Sequence, residues 1–438
     1  MKRSATSSIT VVGGGLAGSE AALLLSRAGV AVDLYEMRPG KLTPAHRSGR
    51  FAELVCSNSL GSVEMTSGKG LLKEELRILG SALLPIAEAS RVPAGKALAV
   101  DREGFGRRVT EAVRSRPGIR VHEEEVKAIP GDPIVILACG PLASDAVASA
   151  IRDLLGDDGF YFYDAISPIV DAETIDPEAS FVADRYGVGT GDYLNLPMDR
   201  ERYEAFLSAL LTAKTVPLRA FEEPRYFEGC MPVEEIARRG PDTLLFGPLR
   251  PVGLRDPRTG TIPHAVVQLR KENAEGTMYN LVGFQTRMTY PEQKRVFSLI
   301  PGLASAVYFR YGSVHRNSFL DARRHLHPWM ESRSRAGLFF AGQITGVEGY
   351  VESIASGLVA AVSAAARVAG KDPRPFPPES MIGALMERIT TPGPDRAQPM
   401  NANFGLLPEV AVRRKRDRKE RKAEVALDAV RNFAADLP

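Results

Sequence analysis

Short apolar runs alternate with amphipathic stretches along this chain, and the clearest such pair lies near the N-terminus. Residues 9–12 form an apolar run that predicts a buried strand, and a glycine-rich turn follows it. Apolar residues then recur at helical spacing over 16–28, and Gly29 stands where a helix commonly ends. A second apolar run covers 31–35. The order strand, turn, helix, strand predicts a parallel βαβ unit.

The glycines of the first turn have the spacing G-x-G-x-x-G, formed by Gly13, Gly15 and Gly18. In a strand–turn–helix context this spacing permits the tight turn, the approach of backbone N–H groups to a pyrophosphate, and close helix–strand packing. Glu36 ends the second strand, 18 residues after Gly18, where an acid that binds a ribose 2′-hydroxyl is expected. Because an acid there disfavours a 2′-phosphate, this half of the chain predicts FAD or NAD rather than NADP.

The rest of the pattern predicts two further regions. Helical spacing continues over 69–89, and Asp101 is a candidate N-cap. Residues 133–140 form a central apolar strand that ends in Gly140. Strand-like stretches at 160–170, 264–271 and 277–283, with a helix over 199–211, predict an inserted α+β domain. We therefore expect a first FAD-binding part over 1–180, an insertion domain over 181–320, and a second FAD-binding part with a basic tail over 321–438.

A last strand–glycine–helix unit decides between the two dinucleotides. Residues 338–341 are apolar, Gly342 and Gln343 follow, and a helix rich in small residues continues to Ala364. Two-part FAD domains finish with such a unit, whose helix N-terminus can face the diphosphate. The fold class expected is therefore α/β, with a two-part Rossmann-like FAD-binding domain and an inserted mixed α+β domain.

Composition narrows the function classes. The chain has 438 residues, of which 44% are hydrophobic and 25% charged, as in ordinary globular enzymes. We count no apolar run of membrane-spanning length and no signal peptide. Three scattered cysteines without a CxxC pair exclude a disulfide framework and a zinc site, so no metal and a cytoplasmic location are expected.

Charge is concentrated near the C-terminus. Residues 413–422 include eight basic and two acidic residues, within a chain of net charge +3. Such a run is commonly a solvated helix or a frayed tail, and it could equally hold phosphates.

The three cysteines differ in their sequence settings. Cys139 ends a core strand, and Cys56 follows an apolar run, so both favour structural thiols on these grounds alone. Cys230 precedes a helix predicted to begin near Pro232, where a thiolate would be stabilised. An inert thiol near a helix cap remains an equal alternative there.

Five blocks together resemble the folate-dependent, flavin-containing tRNA uracil-5-methyltransferases, the TrmFO family. They are Gly13–Glu36, Ala52–Leu60, Phe160–Val170, Phe227–Leu254 and Gly342–Ser353. The resemblance implies two reactive cysteines, Cys56 and Cys230. It implies an FAD site made of Gly13, Gly14, Gly15, Leu16, Ala17, Gly18, Glu36, Gly342, Gln343 and Tyr350, the last two near the isoalloxazine.

The resemblance also implies a reaction, the formation of 5-methyluridine at position 54 of the tRNA T-loop. The one-carbon unit would come from methylenetetrahydrofolate, and the reducing equivalents from NADPH or NADH through FAD. Cys230 is the better candidate for the thiolate that adds to uracil, and Cys56 would take the carbon 5 proton or guard the flavin site. The partners expected are tRNA, the folate and the nicotinamide, with no membrane and no obligate protein partner.

Three alternatives stay open at the level of sequence. An MnmG-like enzyme that modifies wobble uridines shares the Gly342–Gly349 ending, but only 68 residues follow Gly370 here, too few for that family's C-terminal helical domain. A generic FAD-dependent oxidoreductase accounts for the nucleotide motifs and for neither cysteine block. A non-enzymatic RNA-binding flavoprotein would use the basic tail.

Overall fold

The structure is a computed structural model that describes residues 8–156, 160–187, 191–217, 231–393, 398–412 and 414–437. For 160–166, 314–318 and 415 the description covers the backbone alone. The strands are β1 Ile9–Val12, β2 Val32–Tyr35, β3 Ser59–Ser62, β4 Arg91–Val92, β5 Ala97–Val100, β6 Ile119–His122, β7 Val135–Leu137, β8 Phe160–Ile166, β9 Ile169–Asp171, β10 Phe181–Val182, β11 Tyr193–Met198, β12 Ala265–Lys271, β13 Met278–Leu281, β14 Tyr308–Arg310, β15 Ser313–Phe319 and β16 Leu338–Phe340. The α-helices are α1 Leu16–Arg27, α2 Gly68–Ile78, α3 Leu83–Ala89, α4 Arg102–Arg114, α5 Asp145–Leu155, α6 Arg200–Leu211, α7 Val233–Arg238, α8 Tyr290–Phe297, α9 Ala322–His325, α10 Tyr350–Val368, α11 Met381–Thr390 and α12 Arg418–Ala435.

A five-stranded parallel sheet carries the nucleotide-binding half. Its order is β16-β7-β1-β2-β6, so the last strand of the chain's second part joins the strands of the first. The largest hydrophobic core surrounds this sheet and includes α1 and α10. The expected α/β class with a two-part Rossmann-like domain is thereby confirmed.

A second, six-stranded antiparallel sheet has the order β10-β11-β12-β13-β9-β14 and a core of its own, to which α6, α7 and α8 contribute. The predicted helix over 199–211 is α6, and Asp199 caps it by accepting the N–H of Arg202 at 2.9 Å. The predicted strand pair is β12 and β13, which are antiparallel. Since β9 already belongs to this sheet, the sheet begins before residue 180; the domain borders themselves stay predictions.

The predicted helical stretch over 69–89 is wrong as a single helix. It is two helices, α2 and α3, separated by Gly80, which has a φ of +74°. The carboxylate of Glu20, buried in α1, accepts the N–H groups of Ala82 and Leu83 at 3.0 and 2.8 Å. The break is therefore fixed by a tertiary cap, which periodicity cannot reveal.

Helix α10 corrects the expectation that no apolar run reaches the length of a membrane span. By length and a mean hydropathy of 1.4 alone, Tyr350–Val368 would be long and apolar enough to cross a membrane. Most of that window is buried inside the protein, where the helix packs against α1. It is therefore the central helix of the nucleotide-binding half.

The basic run near the C-terminus is partly structural. Lys422 is only 5% exposed, and its ammonium donates to the carbonyls of Phe404 and Leu407 and to the carboxylate of Glu409. Four further residues of α12 are buried, namely Ala423, Ala426, Val430 and Phe433. The exposed residues described in this run include Arg414, Arg416 and Lys419, which are available to solvent or a partner.

Gly357 tests the packing between α1 and α10. A Cβ at this position would overlap the backbone of Ala17, including its carbonyl oxygen. We expect Gly357→Ala to lower the free energy of unfolding by about 1–3 kcal/mol, because rigid backbone must move. Chemical denaturation measures this, with Gly131→Ala as control because no residue in the described part of the chain lies within 4 Å of a Cβ there. Equal stability of the two variants would contradict this packing.

Candidate functional site

The glycine turn between β1 and α1 has the geometry that its spacing predicts. Gly13 has a φ of +106°, and a Cβ there would collide with the backbone of Ala138 and Cys139. A Cβ on Gly18 would collide with the carbonyl oxygen of Gly13. Gly15, by contrast, has none of the described residues within 4 Å of a Cβ. The turn is thus packed on the protein side and open at the N-terminus of α1, as a dinucleotide pyrophosphate requires.

Glu36 lies at the end of β2 with its carboxylate beside this turn. Its oxygens accept the N–H of Gly14 at 2.8 Å and three N–H groups of Arg38 at 2.9–3.0 Å. Burial acts to raise the pKa of Glu36, but Arg38 and the Gly14 N–H outweigh it and lower the pKa below its ordinary value. The carboxylate is therefore ionised, and a ribose hydroxyl would share it with Arg38.

Gly14 has a different surrounding from Gly15. A Cβ at Gly14 would collide with the ring of Phe51, and its carbonyl accepts the N–H of Ala52 at 2.9 Å. Gly14 therefore allows the loop before Cys56 to lie on the glycine turn. Leu16 and Ala17 begin α1, and Ala17 is the point where the second half of the fold approaches.

The second strand–glycine–helix unit reaches the same end of the sheet. Gly342 has a φ of +84°, a Cβ there would lie 3.2 Å from the Cβ of Ala17, and its N–H donates to Ser356 at 2.7 Å. Gln343 begins a short 3-10 turn, and α10 begins at Tyr350. Since β1, β7 and β16 are parallel neighbours, both glycine turns meet at their carboxyl ends. The residues present thus fit an FAD held between two helix N-termini.

Cys56 lies on a loop that docks at the start of α10. The hydroxyl of Tyr350 accepts the N–H of Cys56 at 2.8 Å and that of Ser57 at 3.2 Å. Burial, followed by the neighbouring Cys56, raises the pKa of Tyr350 well above its usual range. Tyr350 is therefore a neutral phenol that fixes the Cys56 loop. This loop brings together Cys56 and Tyr350, which lie 294 residues apart in sequence.

Two arginines, one from each half of the molecule, hold the same loop. Arg102 begins α4 and donates to the carbonyl of Leu54 at 2.7 Å, while its guanidinium pairs with Glu272 at 2.9 Å. Arg310, on β14, donates to the carbonyls of Val55 and Ala45 at 3.2 and 3.3 Å. The Cys56 loop is thus anchored from the parallel sheet and from the antiparallel one.

Asn58 adds a further anchor. It is fully buried, and its amide group donates to the carbonyls of Val100 and Lys271 at 3.0 and 2.9 Å. Its carbonyl accepts the N–H of Arg270 at 3.1 Å. These bonds give Asn58, in the polar run that directly follows Cys56, a fixed structural role.

The predictions for the other two cysteines, Cys139 and Cys230, stand differently. Burial raises the pKa of the Cys139 thiol to about 12, which agrees with the expected inert core residue. Cys230 lies outside the described residues, and the helix expected near Pro232 is α7, for which Pro232 is the N-cap residue. The predicted roles of Cys230 and Cys56 therefore stay predictions. Within the described ranges, no group of His, Cys, Asp and Glu could hold a metal ion.

Sequence reasoning missed Arg38, Arg102 and Arg310. Arg38 offers a weak signal, because it follows the candidate ribose acid by two residues. Arg102 and Arg310 give no signal in the sequence, since they contact the Cys56 loop only when the two sheets pack together.

The variant Gly15→Ala separates an effect on FAD affinity from an effect on the stability of the fold. We expect Gly15→Ala to leave the free energy of unfolding of the apoprotein nearly unchanged, because the added methyl enters open space. The same methyl occupies the cradle, so we expect FAD affinity to fall at least about tenfold, measured by fluorescence titration. Gly18→Ala is the matched variant, which we expect to destabilise the apoprotein itself. Retention of full FAD affinity by Gly15→Ala would place the pyrophosphate elsewhere.

Comparisons with known proteins identify the family of this chain. The model of the family "glucose inhibited division protein A" matches residues 8–372. The chain is 51% identical over 431 residues to a methylenetetrahydrofolate–tRNA-(uracil-5-)-methyltransferase TrmFO of Sulfurihydrogenibium sp., covering 98% of each chain. It is 54% identical over 430 residues to the TrmFO of Heliobacterium modesticaldum, again covering 98% of each.

A solved structure of Aquifex aeolicus GidA shows the same fold, with a TM-score of 0.71 at 18% identity, covering 98% of this chain and 74% of that one. The fold is thus shared with a longer chain of low identity, whereas the TrmFO relatives match over nearly their whole length. This chain therefore belongs to the TrmFO family of flavin-dependent tRNA methyltransferases.

Proposed function

We propose that this chain catalyses the folate-dependent formation of 5-methyluridine in tRNA, at position 54 of the T-loop. The observation that carries the proposal is its identity of 51–54% over 98% of the chain to enzymes named methylenetetrahydrofolate–tRNA-(uracil-5-)-methyltransferase. The structure supports the proposal with an open glycine turn that fits a dinucleotide and with a nearby loop, carrying Cys56, that is held by Tyr350. We place the reaction in the cytoplasm, with methylenetetrahydrofolate and NADPH or NADH as co-substrates.

The cofactor would be held by the glycine turn, Glu36 with Arg38, and the Gly342–Tyr350 segment. FAD, when bound there, supplies the redox and one-carbon chemistry that protein side chains lack. The chain's own contribution is to position the loop of Cys56 and to keep Tyr350 neutral.

The uracil chemistry requires a nucleophilic thiolate and a base. Carbon 5 of uracil is a poor nucleophile until a thiolate adds at carbon 6, which forms an S–C6 bond and moves charge onto the carbonyl at carbon 4. After carbon 5 has taken the one-carbon unit, a base removes the carbon 5 proton and the S–C6 bond breaks as the thiolate leaves. Two electrons and a proton that originate from the reduced nicotinamide complete the methyl group. We assign the attack to Cys230, because it precedes in sequence the N-cap residue of α7, Pro232, where a thiolate would be stabilised. We assign the removal of the proton to Cys56, whose thiolate can act as the base.

The target base must leave its stack to reach such a site. Tyr350 is a candidate platform, although its hydroxyl is already committed to the Cys56 loop. The exposed residues of the C-terminal basic run are candidate phosphate-binding groups.

Labelled methylenetetrahydrofolate tests the reaction directly. We expect the holoenzyme to transfer label to carbon 5 of one uridine in an unmodified tRNA transcript, and only with a reduced nicotinamide present. Cys230→Ala should abolish product while FAD absorbance stays, because the attacking sulfur is removed; Cys139→Ala is the control that keeps activity. Label transfer from S-adenosylmethionine, or full turnover by Cys230→Ala, would contradict the respective assignments.

The basic tail is tested without breaking α12. We expect replacement of Arg414, Arg416 and Lys419 by Gln to flatten the dependence of log K on log salt for tRNA binding, by about 0.7–0.9 for each phosphate that is no longer neutralised. Lys422 is left in place because it is buried. A control variant with Arg200, Arg202 and Arg255 replaced by Gln removes equal charge elsewhere. Equal slopes in both variants would show that the tail does not bind phosphate.

A further inference from the structure

Arg310 belongs to the antiparallel sheet but serves the Cys56 loop of the other half. It lies at the end of β14, the edge strand that pairs with β9. Its two terminal nitrogens donate to the carbonyls of Val55 and Ala45, at 3.2 and 3.3 Å. Val55 is the residue directly before Cys56. The guanidinium therefore lies against the peptide that carries the thiol.

The guanidinium of Arg310 is held by carbonyl oxygens rather than by a carboxylate. Its recorded side-chain bonds, within the described part of the chain, go to backbone oxygens, and its Nε is buried without a hydrogen-bond partner. Burial, followed by the nearby cations Arg102 and Arg47, lowers the pKa of Arg310 to about 10, so it remains protonated at neutral pH. Arg310 is half-buried, and among the described residues no carboxylate pairs with it, so the desolvation of its charge is not offset by an ion pair.

The other charged and titratable groups near this position are already committed or neutral. Glu272 pairs with Arg102, and Tyr350 stays a neutral phenol. Arg47 is exposed and adds further positive charge. None of these four groups supplies an unpaired anion to Arg310.

His46 also faces the guanidinium, from the loop that contains Ala45. Burial, followed by Arg38, lowers the pKa of His46 to about 4, and the charge of Arg310 acts in the same direction. His46 is therefore a neutral imidazole at neutral pH. Cys56 directly follows the Val55 carbonyl that Arg310 holds, and the charge of its thiolate acts to raise the pKa of Arg310.

We propose that Arg310 is the positioning residue of Cys56, which holds the Val55–Cys56 peptide through its two terminal nitrogens and is the counter-ion of the Cys56 thiolate. Ionisation breaks the S–H bond heterolytically and releases the proton to water, with no change in oxidation state. The thiolate so formed is the base that the proposed function requires for the carbon 5 proton, and in that respect the inference rests on the proposed function. The inserted domain thereby supplies charge to a site that the nucleotide-binding half builds.

The test measures Cys56 ionisation without turnover. In the full-length FAD-bound protein with Cys139→Ser and Cys230→Ser, Cys56 is the single thiol. Its rate of alkylation by iodoacetamide is followed from pH 5 to 10. We expect Arg310→Gln to move the midpoint of the curve of alkylation rate against pH to higher pH, since removal of one nearby positive charge raises the pKa of a thiol by roughly one unit. At pH 7 we expect alkylation to be about tenfold slower.

Two further variants separate charge from packing. Arg310→Lys keeps the charge and loses the paired donation, so we expect its midpoint to stay near that of the parent. Arg202→Gln, which removes an exposed arginine from α6, should change nothing. An unmoved midpoint in Arg310→Gln, or an equal shift in Arg310→Lys, would overturn the counter-ion role. Should Arg310→Gln fail to fold, Arg310→Met, which also removes the charge, is measured in its place against the same outcomes. Because neither tRNA nor folate is present, failure of the methylation assay leaves this result intact.

Discussion

The site depends on the close approach of two backbones, that of α1 at Ala17 and that of α10 at Gly357. Where a Cβ at Gly357 would overlap Ala17, the absence of a side chain lets both helix N-termini converge on one end of the parallel sheet. The same approach places Tyr350, at the start of α10, against the Cys56 loop. The convergence of the two helix N-termini and the contact between Tyr350 and the Cys56 loop therefore both depend on this packing.

Much of the nucleotide-binding half was predictable because its signals are local. The G-x-G-x-x-G spacing, Glu36 at a strand end, Asp101 as a cap and the apolar strand at 338–340 each constrain backbone within a few residues of themselves. Asp101 does accept the N–H of Gly104, and Gly13 does need its positive φ. Local propensity and turn chemistry suffice where the backbone alone dictates the residue.

The thiol site was less predictable because its determinants are non-local. Sequence alone favoured a structural role for Cys56, and only the resemblance indicated reactivity. What surrounds the thiol comes from Tyr350, Arg102 and Arg310, which are separated from it by tens to hundreds of residues. The helix break at Gly80 escaped prediction for the same reason, since its cap comes from Glu20 in another helix. No pattern within a window carries such information.

The strand order of the parallel sheet has a consequence for biosynthesis. β7 ends at Leu137, yet its outer neighbour β16 begins only at Leu338, so about two hundred residues must leave the ribosome before that edge is covered. Through that interval the nascent chain exposes an unpaired apolar strand, which invites aberrant pairing with other chains. The antiparallel sheet, whose pairings close within 169–310, has all its strands translated first. The inserted domain therefore has all its strands available before the parallel sheet receives its last one, β16.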